Sequence, residues 1–500
     1  MDKLKILDAS FLYAETANTP MHIAGVQHLD LPDGADERWF DSLRQYLAER
    51  VHLIPFMTRR LKAMPLGVDH PVWIRDEAFD ITRHVQRIRV PSPGTPRQVE
   101  QLIARLHEQQ LDRRHPLWQF WLIEGLESGQ VVWYTKYHHA CIDGVAGQAV
   151  VDMLFSDTPE VPPVPMPVAE RDDEDPGLLS MLWNSARAAS AQPARTLRML
   201  PGLARTAWSL TGRALDSERG LGALGQRAPK TRFNVAIGPY RNYAIGTLSL
   251  TDVKALGKAH DCKVNDVFMA VCAAALARYL DERGELPERP LIAGAPVSLR
   301  APGDGSMSNN VTMLLTSLET QRRDPLEQLL AIRDSATRGK AVVSDLRTAS
   351  LDDLSIPGLP AAFRSLMAVA DRFRLGDFLP MPVNLVISNV PGPRRQVYLN
   401  GAAMRSHYPV SIPAHGSALN ITVQSYLDRL DFSLTSCLDS VPDADRLRDY
   451  MLEAFVALQA ASRTASGAVA GGAAEMGESG GESGGESGGQ AQTAAPIRAA

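Results

Sequence analysis

Residues 137–144 read Tyr137-His138-His139-Ala140-Cys141-Ile142-Asp143-Gly144. The preceding residues 131–136 are β-branched and aromatic, which predicts a strand. Residues 145–155 carry apolar side chains at helical spacing, which predicts a helix. The motif therefore lies on a turn between a strand and a helix. Because neighbouring strand residues point to opposite faces, we expect one histidine to face the core and the other to face a cleft.

The two histidines admit three interpretations. An isolated histidine in apolar surroundings is most often a core residue. A histidine pair with an aspartate is also a possible metal site, but the sequence has no second cluster of ligands at suitable spacing and no HExxH motif. Imidazole titrates near neutrality and is the usual general base. The fixed spacing of His138, His139, Asp143 and Gly144 on one turn favours catalysis, and we expect no metal.

The amino-acid composition is typical of an ordinary globular protein. The 500 residues allow two or three domains, and 45% hydrophobic with 22% charged residues is typical of a chain with a large core. A formal net charge of -5 provides no basic field for nucleic acid, so we expect no nucleic-acid partner.

The cysteines and the apolar runs bear on location. Four isolated cysteines without a CxxC pair suit a reducing compartment. The first residues carry charges where a signal peptide needs an apolar core, and no run of about 18 apolar residues could span a bilayer. We therefore expect a cytoplasmic protein without a transmembrane helix.

Shifts in composition divide the chain into four parts. Residues 1–158 form a first domain, and a proline-rich then acidic stretch opens a linker over residues 159–230. Residues 231–462 form a second domain that contains a strong apolar helix at 265–280. Residues 463–500 are rich in Gly, Ser, Ala and Glu, with a Gly-Glu-Ser-Gly repeat, and are expected to be disordered.

The linker contains a basic amphipathic stretch at residues 186–214. It has five arginines and no acidic residue, and tryptophans lie within it and just before it. Such a stretch is typical of a segment that lies on a membrane surface. It is equally typical of a helical pair that packs on its own protein, and Pro193 and Pro201 break it into short pieces.

Several motifs together resemble one protein family. Residues 138–144 match the HHxxxDG motif of the CoA-dependent acyltransferase superfamily, which includes chloramphenicol acetyltransferase and condensation domains. Four further stretches resemble, in order, motifs of the bacterial wax ester synthase/diacylglycerol acyltransferase family: Asp8-Ala9-Ser10-Phe11-Leu12 with Pro20-Met21-His22, Pro116-Leu117-Trp118, Asn265-Asp266, and Ser388-Asn389-Val390-Pro391-Gly392-Pro393. The resemblance covers about residues 4–460.

The resemblance implies a fold and a reaction. The fold is α/β, with two chloramphenicol-acetyltransferase-like domains of mixed sheet flanked by helices and an active-site tunnel between them. Acyl-CoA enters from one side, and diacylglycerol or a long-chain alcohol from the other, with no cofactor. The enzyme makes triacylglycerols or wax esters at the inner face of the membrane or on lipid inclusions.

The resemblance also assigns roles in the histidine motif. His139 is the general base that takes the acceptor's hydroxyl proton, and His138 supports the backbone or the packing. Asp143 either orients the imidazole or pairs with an arginine that holds the turn, and the resemblance favours the second role. Gly144 permits close approach of backbone or substrate.

Four other residues receive roles on the same basis. Asn265 is expected to donate its amide to the tetrahedral oxyanion, while Asp266 caps or braces the start of its helix. Trp118 is more typical of core packing than of substrate contact. Asn389 is either structural or part of the channel lining.

Two other function classes stay open. A condensation or polyketide-type acyltransferase that uses a carrier-protein thioester shares the histidine motif, but the Asn265-Asp266 pair, the late proline-glycine turn and the lack of a fused carrier domain argue against it. A non-enzymatic lipid-droplet coat would use residues 186–214. A serine hydrolase is disfavoured because GxSxG occurs only in the tail repeat, without a preceding strand.

Overall fold

Two six-stranded mixed sheets form the framework of the protein. The computed structural model describes residues 2–142, 144–164, 175–187, 227–298, 311–346 and 358–478. Asp143, nearly all of the basic stretch 186–214 and the last residues of the tail lie outside the described residues.

The first sheet contains the histidine motif. Its strand order is β12-β13-β2-β7-β6-β5. The strands are β2 (His22–Asp30), β5 (Val85–Arg89), β6 (Trp118–Glu124), β7 (Val131–His138), β12 (Tyr398–Leu399) and β13 (Ala402–Val410). The strand predicted at 131–136 is confirmed as part of β7, which pairs antiparallel with β6. Strands β12 and β13 come from the second half of the chain, so the first sheet is completed by a segment far away in sequence.

The second sheet has the strand order β10-β9-β11-β14-β15-β8. Its strands are β8 (Arg241–Ser249), β9 (Ile292–Ser298), β10 (Val311–Ser317), β11 (Leu385–Val390), β14 (Leu419–Tyr426) and β15 (Arg429–Cys437). Strand β11 runs parallel to β9 and β14, whereas the other pairs are antiparallel. A small third sheet is formed by β1 (Asp2–Lys3), β3 (Arg59–Lys62) and β4 (Val72–Arg75).

Helices cover these sheets and connect their strands. They are α1 (Ile6–Ala14), α2 (Arg38–Ala48), α3 (Ile81–His84), α4 (Pro96–Glu108), α5 (Gly144–Leu154), α6 (residues 178–187), α7 (Leu250–Ala259), α8 (Val264–Asp281), α9 (Pro325–Leu346), α10 (Leu359–Arg372) and α11 (Ala444–Glu478). Helix α8 confirms the strong helix predicted at 265–280. It is apolar on nearly all sides because it is buried between the second sheet and its neighbouring helices.

The last helix is longer than the sequence predicts. Composition places its end at Ser462, but α11 continues to Glu478. The extension contains several alanines, which have the highest intrinsic helix propensity, so a Gly/Ala-rich composition did not by itself end the helix.

The strand that leads to the motif is central and fully buried. All residues of β7 are buried, and its alternate side chains enter two different clusters, with Trp133 on one face and Tyr134 on the other. A strand covered on both faces has little freedom to shift its register. The end of β7, where the histidines lie, is therefore held in a fixed position.

Candidate active site

Three separate sequence motifs meet at the histidine pair. The backbone N–H of His138 donates to the carbonyl oxygen of Leu117 at 2.9 Å, and that of His139 donates to the carbonyl oxygen of Met21 at 2.8 Å. The stretches around Leu117 and Met21 thus hold the two histidines from opposite sides. These two backbone hydrogen bonds join the histidine motif to two stretches that lie far from it in the chain.

The two histidines face different surroundings, as the strand alternation predicts. His138 is buried with 1% of its surface exposed, and its Nδ1 accepts a hydrogen bond from the backbone N–H of Ala140 at 3.0 Å. His139 instead lines a cavity. The prediction of one core histidine and one cleft histidine is confirmed.

An aromatic residue fixes the plane of the His139 ring. Phe11, on helix α1, stacks on the imidazole with a centroid distance of 4.0 Å and an interplanar angle of 7°. Such a contact restricts the side chain to few orientations, which is what a base aimed at one proton requires. Sequence reasoning included Phe11 in a motif but gave it no role.

The cavity beside His139 lies between the two sheets and has a volume of about 560 Å³. The first sheet and helix α1 contribute one wall, and β9, β10, β11 and β14 of the second sheet contribute the other. Among the described residues, the lining contains no carboxylate, ammonium or guanidinium group. Most of the wall is apolar, including Met21, Ile23, Pro296, Phe363 and Ile412.

A neutral polar cluster interrupts this apolar wall. His407 lies 2.9 Å from the Nε2 atom of Gln27 and 3.1 Å from the Nε2 atom of Gln424 through its two ring nitrogens. Burial lowers the pKa of His407 to about 4, so the ring is neutral at physiological pH. Gly25 permits the cluster, because a Cβ atom there would lie 2.5 Å from the Gln27 amide nitrogen. Sequence reasoning did not find this cluster.

A buried carboxylate stands behind the histidine pair. Glu15 Oε1 lies 3.5 Å from His138 Nε2 and 3.3 Å from His22 Nε2, while Oε2 accepts from Arg113 Nη2 at 2.5 Å. Burial alone would raise the pKa of Glu15, but the contacts with His138 and His22 hold it well below its ordinary value. Glu15 is therefore ionised at neutral pH.

The hydrogen bonds assign a tautomer to His138. Because Nδ1 accepts from Ala140, the ring proton of the neutral imidazole lies on Nε2, the atom that faces Glu15. Glu15 thus favours the tautomer in which His138 can hold the Ala140 backbone. The carboxylate acts on the turn that carries His139, and sequence reasoning missed it.

The remaining predicted residues lie apart from His139. Asn265 begins the first turn of α8, its Nδ2 is 3.9 Å from Met269 Sδ, and it is not part of the cavity lining. Asp266 accepts from the backbone N–H of Lys263 at 2.9 Å, which braces the start of that helix. Trp118 is 1% exposed and donates from Nε1 to the Met57 carbonyl at 2.9 Å, so it lies in the core.

The late proline-glycine turn follows a strand that borders the cavity. Ser388 and Val390 line the cavity, whereas Asn389 alternates to the opposite face of β11 and is exposed. Gly392 is required where the chain passes β14, because a Cβ atom would lie 2.0 Å from the Ser425 carbonyl oxygen. Gly144 begins helix α5.

A second cavity of about 620 Å³ lies on the other side of helix α1. Four arginines line it, Arg113, Arg364, Arg372 and Arg374, together with the carboxylates of Glu15 and Asp371. Arg113 is paired with Glu15 and Arg374 with Asp377. Arg364 and Arg372 make no ion pair with a described residue.

The described residues offer neither a metal cluster nor a membrane-spanning helix. In the described part of the chain, no group of three or more His, Cys, Asp and Glu side chains is arranged to hold a metal ion. Over the same residues, no helix combines the length and the apolar character that crossing a membrane requires.

Two parts of the chain match a known protein family. Residues 4–268 match the family described as the wax ester synthase/diacylglycerol acyltransferase catalytic domain, and residues 307–459 match the C-terminal domain of the same family. The chain belongs to the wax ester synthase/diacylglycerol acyltransferase family. The resemblance predicted from the sequence motifs is thereby confirmed.

Individual relatives agree with this family assignment. A protein of Mycobacterium tuberculosis strain H37Rv, provisionally named a diacylglycerol O-acyltransferase, is 34% identical over 465 residues, which cover 91% of this chain and 99% of the relative. The solved structure of the wax ester synthase/diacylglycerol acyltransferase from Marinobacter aquaeolei VT8 is 29% identical, with a TM-score of 0.66, and covers 92% of this chain and 100% of that one.

More distant structures share only the fold of this wax ester synthase/diacylglycerol acyltransferase family member. The first condensation domain of the calcium-dependent antibiotic synthetase has a TM-score of 0.56 at 14% identity and covers 92% of this chain and 96% of that one. The predicted fold class, a two-domain α/β arrangement of mixed sheets flanked by helices, is confirmed.

Proposed function

We propose that this protein transfers a long-chain acyl group from acyl-CoA to the hydroxyl of diacylglycerol, of a long-chain alcohol, or of both. The observation that carries the proposal is the position of His139, which lies on the wall of a largely apolar cavity in a chain of this family. The names of the curated relatives and of the Marinobacter structure support the choice of acceptors.

The chemistry needs one base and no acyl-enzyme intermediate. His139 takes the acceptor's hydroxyl proton as the oxygen attacks the thioester carbonyl. The tetrahedral intermediate then collapses, the carbon–sulfur bond breaks, and the imidazolium returns the proton to the CoA thiolate. The products are an ester and free CoA, and His139 ends neutral. A positioned base of this kind contributes about 10²–10⁴-fold in rate.

The cavity suits lipid chains. An uncharged, mainly apolar wall gains about 0.8 kcal/mol for each methylene that it removes from water. We propose that this cavity is the central part of a tunnel between the two domains, in which the thioester and the acceptor hydroxyl meet beside His139. Acyl-CoA is the donor substrate, and the reaction uses no other cofactor.

Purified protein with palmitoyl-CoA and a panel of acceptors tests this function. Hexadecanol, dipalmitoylglycerol and a short-chain alcohol would be compared by ester product and by release of CoA thiol. Absence of ester with every acceptor, with thiol release at background, would exclude the proposed reaction. A strong preference for an acyl-carrier protein over acyl-CoA would favour the condensation-type alternative.

Two amides are candidates for the donor to the oxyanion. Asn265 is the residue that the family motif suggests. Asn420, on β14, is an asparagine that lines the same cavity as His139, and its Nδ2 is 3.5 Å from the Ile412 carbonyl oxygen. Strand β13 leads towards Ile412 on the side where β2 begins with His22. Asn420 therefore lies at the His139 end of the cavity.

Alanine variants separate the two amides. If Asn420 is the donor, we expect Asn420→Ala to lower kcat about 10²–10³-fold, while Asn265→Ala leaves kcat within a few-fold of wild type. The measurement is kcat with palmitoyl-CoA at saturating acceptor, alongside thermal unfolding of each variant. The reverse order of effects would return the role to Asn265.

We further propose that the arginine-lined cavity binds the phosphates of CoA. Guanidinium groups recognise phosphate through paired hydrogen bonds. Arg364 and Arg372 are available for this because neither makes an ion pair with a described residue. Helix α1, about 10 Å across, separates this cavity from the one that contains His139, so the flexible arm of CoA has to pass only one helix.

The double variant Arg364→Gln/Arg372→Gln tests this donor site. We expect the KM for palmitoyl-CoA to rise about tenfold or more, because charge-assisted hydrogen bonds to phosphate are lost. The KM for palmitoyl-pantetheine, which lacks the phosphates, should not change. Arg338→Gln/Lys340→Gln removes two exposed charges on α9, outside both cavities, and serves as the control. An equal rise in KM for palmitoyl-CoA and for palmitoyl-pantetheine would exclude phosphate recognition in this cavity.

A lipid acceptor also implies a location. We propose that the enzyme works at the surface of the membrane or of lipid inclusions, where its acceptor is concentrated. The basic stretch 186–214, for which the sequence leaves membrane contact and packing on the protein equally open, lies almost entirely outside the described residues. A lipid-droplet coat protein without catalytic activity would not need the cavity beside His139, so this cavity does not support that alternative.

A further inference from the structure

Helix α10 carries apolar side chains on its outer surface. Leu366, Val369 and Phe373 are 58%, 46% and 66% exposed. Their spacing of three and then four residues places them on one side of the helix. Phe378 and Leu379, just after the helix, are 77% and 56% exposed. These five residues form what we name the apolar face.

The other sides of α10 have different surroundings. Phe363 lines the His139 cavity, and Arg364 and Arg372 line the arginine-rich cavity. At 100° per residue, three sectors follow around the helix: one towards each cavity and one towards solvent. The apolar face is therefore not a badly packed core surface, because α10 already uses a separate side to pack against α1.

Cationic side chains border the apolar face. Arg372 and Arg374 flank Phe373 in sequence, and Lys230 donates to the carbonyl oxygen of Asp377. The two nearby carboxylates are engaged: Asp371 accepts from Asn18 and lies 3.1 Å from His415 Nε2, and Asp377 pairs with Arg374. Exposed apolar groups with cations at their margin match the interface of a membrane with anionic headgroups.

We infer that the apolar face docks this protein on a lipid surface that carries anionic headgroups. Clusters of exposed apolar side chains mark either a protein partner or a membrane, and the bordering cations favour the membrane. Leu366, Val369, Phe373, Phe378 and Leu379 enter the acyl boundary, while Arg374 and Lys230 lie at the level of the phosphate groups. This surface differs from residues 186–214, for which the sequence leaves membrane contact and packing on the protein equally open.

The position of α10 gives this docking a function. Phe363 on the same helix lines the cavity that contains His139. A lipid acceptor therefore has a short route from the surface to the cavity along one helix and does not have to cross bulk water. This consequence rests on the proposed acyltransferase function, whereas the docking itself does not.

Co-sedimentation of the full-length protein with vesicles tests the inference. One set of vesicles is pure phosphatidylcholine. The other also contains about 30% phosphatidylglycerol, which gives its surface a negative charge. We expect wild-type protein to bind the anionic vesicles more strongly and to be released by salt. Leu366→Ser/Phe373→Ser should lower the bound fraction about tenfold or more on both vesicle types. Val456→Ser/Leu427→Ser, which removes two exposed apolar side chains elsewhere, should bind like wild type.

Activity measurements separate docking from chemistry. With a diacylglycerol presented in anionic vesicles, Leu366→Ser/Phe373→Ser should lose activity in parallel with binding, yet keep it with a short-chain alcohol dissolved in water. Wild-type-like vesicle binding by this variant would overturn the inference and leave the proposed function intact. Binding through the face without ester formation from any acceptor would instead overturn the proposed function. A change from dimer to monomer without loss of lipid binding would identify the face as a contact between copies.

Discussion

Replacing His139 by alanine is expected to lower kcat/KM for acyl transfer by about 10²–10⁴-fold, the usual contribution of a positioned general base. The variant removes the imidazole from the cavity wall but leaves the backbone N–H that bonds the Met21 carbonyl. His139 is also only partly buried. The fold should therefore survive. The loss in free energy of unfolding should be smaller than the rise in activation free energy that the loss of kcat/KM represents. Ester formation from palmitoyl-CoA and urea unfolding measure the two effects.

A change in the stacking partner provides the control for His139. Phe11→Leu keeps an apolar side chain on α1 but loses the ring that lies 4.0 Å from the imidazole. We expect a smaller loss of kcat, about tenfold, because the base remains and only its orientation is less restricted. Activity of His139→Ala within a few-fold of wild type would move the base to another residue.

The local structure around the histidine motif follows from the sequence because it depends on near neighbours. β-Branched and aromatic residues at 131–136 predict the strand β7, and its turn with β6 joins strands that are close in sequence. Strand alternation then assigns opposite faces to His138 and His139. Helix α8 is equally predictable, since the continuous apolar run from Val267 to Ala277 within its 18 residues leaves few alternatives to a buried helix.

The parts that the sequence does not predict depend on residues far apart. Strand β13 joins β2 across more than 370 positions, and no periodicity encodes that pairing. The same strand brings His407 to Gln27 at the cavity wall. The neutral cluster that interrupts the apolar wall therefore could not be found without the fold.

Glu15 is another such residue, since its contacts join α1 to β7 and to Arg113 over about 100 positions. In the sequence it is one of many acids. Only the structure shows that its side chain is 3% exposed and shared between a guanidinium and two imidazoles. A buried carboxylate of this kind is costly unless it is fully paired, so its position indicates a role in holding the turn.

The isosteric variant Glu15→Gln tests that positioning role. Glutamine keeps the shape but removes the charge that pairs with Arg113 and favours the Nε2–H tautomer of His138. We expect kcat to fall about tenfold or more, because a small displacement of a catalytic group is costly, while the KM for the alcohol acceptor changes little. Glu124→Gln, which breaks the Arg87–Glu124 pair at 2.6 Å on the same sheet, is the matched control and should keep its kcat.

The pH dependence of stability gives a readout that loss of packing alone would not move. The pKa of Glu15 in the folded protein is depressed, so its ionised form stabilises the fold at pH values above its unfolded pKa of about 4.3. That contribution is lost as pH falls towards the folded pKa. Urea unfolding should therefore show Glu15→Gln clearly less stable than wild type at pH 7, with the difference shrinking below about pH 4. A difference that stays constant with pH, together with wild-type kcat, would reduce Glu15 to an ordinary packing residue.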